Sequence, residues 1–184
     1  MGAVMPRCPL RIALALCACM LGHAWAAEPL EYAVKAAYLS KFGFYVEWPN
    51  GAFASPASPL NLCVVGDDPF GNLLDDAAAA AAQRGEGRAI VVMRMKSIAR
   101  DSACHIVYLG GDARSAALVE ALRGTPALVV TDARNGNAPL GTIHFVLKDN
   151  RVRFIVDDEA AAQSGLNVSS KLLSLALSVK PRTR

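Results

Sequence analysis

The sequence predicts an α/β fold: a three-layer α/β/α sandwich around a mostly parallel central sheet, with an antiparallel hairpin near the C-terminus. Between residues 60 and 131, short continuous apolar runs alternate with helix-patterned segments, as expected of parallel strands covered on both faces. Two further apolar runs, 143–147 and 152–156, flank Lys148-Asp149-Asn150-Arg151, the spacing of a tight hairpin. A chain of 184 residues, 53% hydrophobic and 19% charged, suits one globular domain.

Residues 1–26 read as a signal peptide. Arg7 and Arg11 precede an apolar run over 12–21, and Ala24-Trp25-Ala26 offers the small-x-small pattern of a cleavage site. The run is too short to span a bilayer, which needs about 20 apolar residues. A core helix and a lipid anchor on Cys19 are the competing readings, and the better cleavage site favours neither. The expectation is a leader over 1–26 and a single exported domain over 27–184. Removing Arg7 and Arg11 from the 19 basic residues leaves 17 against 16 acidic ones, a balance too small for the phosphate footprint of a nucleic-acid binder. Cys8, Cys17 and Cys19 leave with the leader, so five cysteines become one pair, Cys63 and Cys104. In an oxidising compartment they are either joined or two buried thiols.

The mature chain begins with a helix predicted over 31–48. Val34, Tyr38, Phe42, Tyr45 and Trp48 recur every three or four residues, and Pro49 ends the segment. Residues 50–59, with glycine, serine and two prolines, form a loop. Strands are then predicted at 60–66, 89–93, 104–110 and 127–131, with helices at 69–83 and 115–123. Gly85-Glu86-Gly87 and Gly110-Gly111-Asp112 read as turns. In the hairpin, Asp149 and Asn150 tolerate the left-handed conformation that the turn requires. Asp157 and Asp158 supply a capping oxygen and negative charge to the start of the next helix. A last helix carries Leu172, Leu173, Leu175, Ala176 and Val179, capped by Asn167 or Ser169, and the basic end 180–184 frays.

Motifs of known chemistry are missing. Neither a G-x-x-x-x-G-K-S/T loop nor a G-x-G-x-x-G turn is present, and no nucleophile elbow is found. His105 and His144 fall within predicted strands without partners at metal-ligand spacing. Cys104 and His105, as strand neighbours, point to opposite faces and do not make a thiolate–base pair. A phospho-receiver reading starts well at Val64-Val65-Gly66-Asp67-Asp68 but fails, because the third strand ends in Leu109-Gly110-Gly111 and not in aspartate. Asp67 and Asp68 more simply cap the following helix. No cofactor, no metal and no catalytic residue is expected, which leaves binding or regulation. An exported small-molecule sensor or carrier, with a crevice near Gly66, Gly110 and Thr131, is the alternative.

The order of blocks suggests a family. Glu31-Tyr32-Ala33-Val34-Lys35-Ala36-Ala37-Tyr38-Leu39, followed by Val46-Glu47-Trp48-Pro49, resembles the opening of the YfiR family of bacterial periplasmic proteins. Leu62-Cys63-Val64-Val65-Gly66-Asp67-Asp68-Pro69-Phe70, Cys104-His105-Ile106-Val107-Tyr108-Leu109, Leu128-Val129-Val130-Thr131-Asp132, Asn150-Arg151-Val152-Arg153-Phe154-Ile155-Val156 and Ser169-Ser170-Lys171-Leu172-Leu173 follow in the family's order. The resemblance implies a periplasmic repressor that binds the sensor domain of an inner-membrane diguanylate cyclase, lowering cyclic di-GMP and biofilm formation. It further implies a disulfide between Cys63 and Cys104, and it admits an outer-membrane lipoprotein partner and a homodimer. A second cysteine pair found in some members is missing. The resemblance does not locate the contact surface. Candidate partner-binding residues are Phe44 and Trp48 at the end of the first helix and the acidic run Asp157, Asp158 and Glu159, with core packing and helix capping as their structural alternatives.

Overall fold

The computed structural model describes residues 2, 27–85, 87–111, 114–132 and 141–183. The predicted leader apart from Gly2, and Glu86 and Asp112 of the two glycine turns, lie outside the described residues.

Helix α1 (Ala27–Phe42) leads through a 3-10 turn (Gly43–Tyr45) into the short strand β1 (Val46–Glu47). The first helix is thus shorter than the predicted 31–48. Its buried face also differs from the expected stripe, running through Tyr32, Lys35, Ala36, Leu39 and Phe42, with Val34 and Tyr38 only half-buried. Gly43 ends the helix against Leu60, and β1 pairs antiparallel with β8 (Asn167–Val168) through Val46 and Val168. Tyr45 therefore falls in the 3-10 turn, and Trp48 lies just beyond β1.

The main sheet contains β2 (Leu60–Val65), β3 (Ile90–Met95), β4 (Ile106–Leu109), β5 (Leu128–Asp132), β6 (Ile143–Lys148), β7 (Arg151–Asp157) and β9 (Ser178–Lys180), in the order β3-β2-β4-β5-β6-β7-β9. The first five strands are mutually parallel, β6 and β7 are antiparallel, and β9 runs parallel to β7. The chain reverses its direction of travel across the sheet between β2 and β4, the switch point of a doubly wound sheet. Each predicted strand is found, displaced by one or two residues at its ends.

Alternating side chains divide the core in two, as the period of a strand requires. Leu62, Val64, Ile106, Tyr108, Leu128, Val130, Ile143 and Phe145 face α1 and α2 (Asn72–Gln83). Cys63, Val65, Val107, Leu109 and Val129 face α3 (Ser115–Leu122) through Leu118, Val119 and Leu122. Helices on both faces complete the expected three layers.

Three local expectations change. Helix α2 starts at Asn72 behind Gly71 with no side-chain cap. Asp68 instead accepts the Phe70 N–H at 2.8 Å and pairs with Arg94 Nε at 2.6 Å, fixing the loop and leaving the helix end alone. The last helix, α5 (Ser170–Leu175), is capped by Ser169 but stops before Val179. Val179 lies in β9, where Ser178, Val179 and Lys180 pair with Ile155, Val156 and Asp157. The end of the chain is not frayed as far as Thr183: Lys180 Nζ donates to Asp157 at 2.9 Å, and Arg182 pairs with Asp158 at 2.8 Å. Covering the edge of β7 gives these backbone groups partners that a continued helix could not.

Candidate functional site

At the carboxyl ends of the parallel strands, a cluster of charge lies inside the α1 face of the sheet. Lys35 is 1% exposed and Asp132 5%. The register aligns Tyr108 with Val130, so Asp132 is the diagonal neighbour of Tyr108 on the same face. Lys35 Nζ donates to Asp132 Oδ2 at 2.6 Å, and Tyr108 Oη donates to the same oxygen at 2.9 Å. One turn back on α1, Glu31 accepts a second bond from Lys35. Phe70 packs edge-on against both Tyr32 and Tyr108, with centroids 5.4 and 4.7 Å away. The cluster ties α1, β4 and β5 together, and its polar atoms are engaged with one another.

On the opposite face, the register places Thr131 beside His144. Thr131 Oγ1 accepts the Gly141 N–H at 3.0 Å and pairs with His144 Nδ1 at 2.7 Å. Burial holds the His144 imidazole below its ordinary value, and Lys35 adds to this against the pull of Asp132. Thr131 is 1% exposed. Its hydroxyl is therefore an interior hydrogen-bonding group, which weakens the expected crevice near Gly66, Gly110 and Thr131. Gly66 does end β2 with φ +87°, and the Gly110 carbonyl accepts from Ser115 Oγ.

The amino ends of the strands carry an aromatic group. Trp48 and Phe53 are half-buried, and His105 just precedes β4. The His105 ring stacks on Phe53 with centroids 4.2 Å apart and planes at 10°. Trp48 stands edge-on to both, at 5.7 Å from His105 and 5.8 Å from Phe53. The Arg88 guanidinium lies 3.8 Å from the Phe53 centroid. Phe44 is half-buried against Gly87, where a Cβ would overlap its ring and where φ is +60°. Phe44 and Trp48 thus belong to one end of the molecule, beside a cavity of about 230 Å³ lined by Phe44, Leu60, Arg88 and Ile90.

The acidic run lies elsewhere. Asp157 caps α4 (Asp158–Gln163) by accepting the Ala160 N–H at 2.9 Å, as the sequence suggests. Asp157, Asp158 and Glu159 also hold Lys180, Arg182 and Thr183, respectively. The three carboxylates therefore bind the end of the chain itself. Cys63 and Cys104 are joined in a disulfide, with Cα atoms 5.9 Å apart, while His105 turns away toward loop 50–59. Among the described residues, no three His, Cys, Asp or Glu side chains gather as a metal site, and no helix is long and apolar enough to cross a membrane.

The sequence profile of YfiR/HmsC-like proteins matches residues 32–177. The chain belongs to the YfiR/HmsC-like family. No curated protein matches the chain. The YfiR/HmsC-like span takes in Lys35, Asp132, the disulfide, the aromatic group and the acidic run. It ends before β9, so Lys180, Arg182 and Thr183, which grip the acidic run, lie beyond it.

Sequence reasoning passed over Lys35, Asp132 and Tyr108 in this YfiR/HmsC-like domain. The signal was present: Lys35 lies at helical spacing among Tyr32, Ala36 and Leu39, and Asp132 closes an apolar strand. Hydrophobic periodicity discards charged residues at such positions, although a buried charge with a partner is as much a part of the core as a leucine.

Proposed function

We propose that this chain is an exported regulator that binds the periplasmic sensor domain of an inner-membrane diguanylate cyclase and holds it inactive, lowering cyclic di-GMP and biofilm formation. The family match over 32–177 carries this reading. The Cys63–Cys104 bond supports it, because such bonds persist in oxidising compartments, and so does the leader-like pattern of residues 1–26, with 27–184 as the working domain. Repression of this kind requires no chemistry from the repressor. It requires preference: moving a cyclase from 99% active to 99% inactive takes about a 10⁴-fold tighter grip on the inactive state, about 5.5 kcal/mol.

The half-exposed Phe44 and Trp48 are the proposed contact. A partner reaching Asp157, Asp158 and Glu159 would have to displace Lys180, Arg182 and Thr183 first. Deletion of the gene is expected to raise cyclic di-GMP, restored by the intact chain, and the tagged protein is expected to co-purify with a cyclase that has a periplasmic loop. Unchanged cyclic di-GMP, with no cyclase recovered, would overturn the reading.

A further inference from the structure

We propose that the outer edge of β7 and an arginine socket beside it form a docking site for an extended segment of a partner chain. The segment carries an apolar residue, a lysine, any residue and an arginine in succession, and this chain's own C-terminus plugs the site. The plug shows what fits. Ser178, Val179 and Lys180 lie parallel against Ile155, Val156 and Asp157. The Asp157 N–H donates to the Thr142 carbonyl at 2.9 Å, on the β6 side, so Val156, its strand neighbour, turns its N–H and carbonyl outward to β9. The Phe154 carbonyl, on the same outer edge, accepts from the Leu177 N–H at 2.7 Å. Such an edge pairs with any extended backbone, and neighbouring side chains select which one.

The selecting groups are arranged independently of the plug. Asp157 Oδ1 accepts the Ala160 N–H and caps α4, which leaves Oδ2 for Lys180 Nζ at 2.9 Å. Arg182 is held as a fork: Nε donates to Asp158 Oδ2 at 2.8 Å and Nη2 to Asp158 Oδ1 at 3.1 Å, the two-pronged geometry that makes a guanidinium specific for a carboxylate. Nη2 also donates to Asn167 Oδ1 at 2.9 Å. Glu47 orients that amide, because its Oε2 accepts from Asn167 Nδ2 at 2.8 Å, so the Asn167 oxygen faces the socket whatever fills it. The Asp158 side chain is 13% exposed and that of Arg182 39%: the socket is recessed and its occupant is not.

Every plug residue from Ser178 to Thr183 is exposed, and none enters the core. A three-residue strand pairing and surface ion pairs hold the plug, contacts that open without unfolding the rest. The socket residues lie within the YfiR/HmsC-like span, and the plug lies beyond it. A partner segment of the same pattern therefore meets a formed site whose occupant yields locally. The tail of a second copy carries the pattern too, but a tethered tail acts at about millimolar effective concentration, so exchange between copies is a minor event at micromolar protein. The docking site goes beyond the cyclase reading and stands without it.

The probe is a fluorescein-labelled peptide of residues 177–183, followed by anisotropy. Val179, two residues after Leu177, turns its N–H toward β7, so in the full chain Val179→Pro with Arg182→Ser removes a strand bond and the fork and frees the site. A tail tethered at about 1 mM weakens a peptide of about 100 μM affinity roughly tenfold, so this variant is expected to bind the peptide about tenfold more tightly than the parent. Adding Asp158→Asn to it is expected to weaken binding by about tenfold, since the arginine loses its charged acceptor. Equal binding to variant and parent, no binding to the variant, or binding indifferent to Asp158 overturns the docking site. Should the variant not fold, hydrogen exchange in the parent decides: the Val179 amide is expected to exchange about a hundredfold faster than that of Val64. Equal protection would mean that the plug opens only with the whole fold, and overturns the proposal.

Discussion

Lys35 shows how much a single residue can commit a fold. Its ammonium lies between Glu31 and Asp132 with 1% of the residue exposed, and a buried ion deprived of its partner costs about 3–5 kcal/mol. Lys35→Met is therefore expected to lower the urea unfolding free energy by about that amount, since it leaves the Asp132 carboxylate with the Tyr108 hydroxyl alone. Adding Asp132→Asn removes the stranded charge, and the double variant is expected to regain a large part of the loss. Equal losses in the single and double variants would mean that Lys35 acts through packing and not through charge. Asp132 closes a strand otherwise made of apolar residues and Thr131, so nothing in periodicity marks it; the charge is visible only as an exception to the pattern.

Among the elements, the β6–β7 hairpin follows most directly from local chemistry. Asp149 and Asn150 take φ of 51° and 57°, the left-handed pair that a two-residue turn between twisted strands requires. Asn150→Gly is expected to preserve thermal stability, while Asn150→Val is expected to lose about 1–2 kcal/mol, because a branched side chain in this conformation meets its own backbone. A valine variant melting with the parent would show that the turn relaxes to another type. The two ends of the chain's helical pattern behave differently. The stripe through Tyr45 and Trp48 has α-helical spacing but does not continue the α-helix, since Gly43 and the pairing of Val46 with Val168 take precedence. Val179 likewise has the spacing of α5 and the position of a strand, because the β7 edge offers Val156 and its neighbours as partners. Spacing reports which residues share a face; it does not report what else competes for the backbone.

For the whole molecule, the Cys63–Cys104 bond joins β2 to the start of β4, across a sequence separation of 41. Closing a loop of this size stabilises the fold by about 4 kcal/mol in the chain-entropy model, against a usual total of about 5–15 kcal/mol. Unfolding in the presence of a thiol reductant, or of the Cys63→Ala/Cys104→Ala chain, is expected to fall short of the oxidised protein by about that amount. Alkylation of the folded protein without reductant should leave both cysteines unlabelled. Two labelled thiols would remove the bond and weaken the case for an exported protein with it.

By itself the sequence determined the layered α/β class, each strand of the parallel sheet, the hairpin and its turn, the cysteine pair and the family. The elements among these follow from local composition and period, which act within about a dozen residues and need no knowledge of what lies across the sheet; the cysteine pair follows from counting, and the family from the order of blocks along the chain. Only the tertiary structure decided that Lys35 and Asp132 share one hydrogen bond, that His105 holds loop 50–59 through Ala52, and that Asp157, Asp158 and Glu159 are occupied by Lys180, Arg182 and Thr183. Each of these contacts joins residues far apart in the chain, where a charge or a ring has no preferred partner until strand order and register bring one within reach.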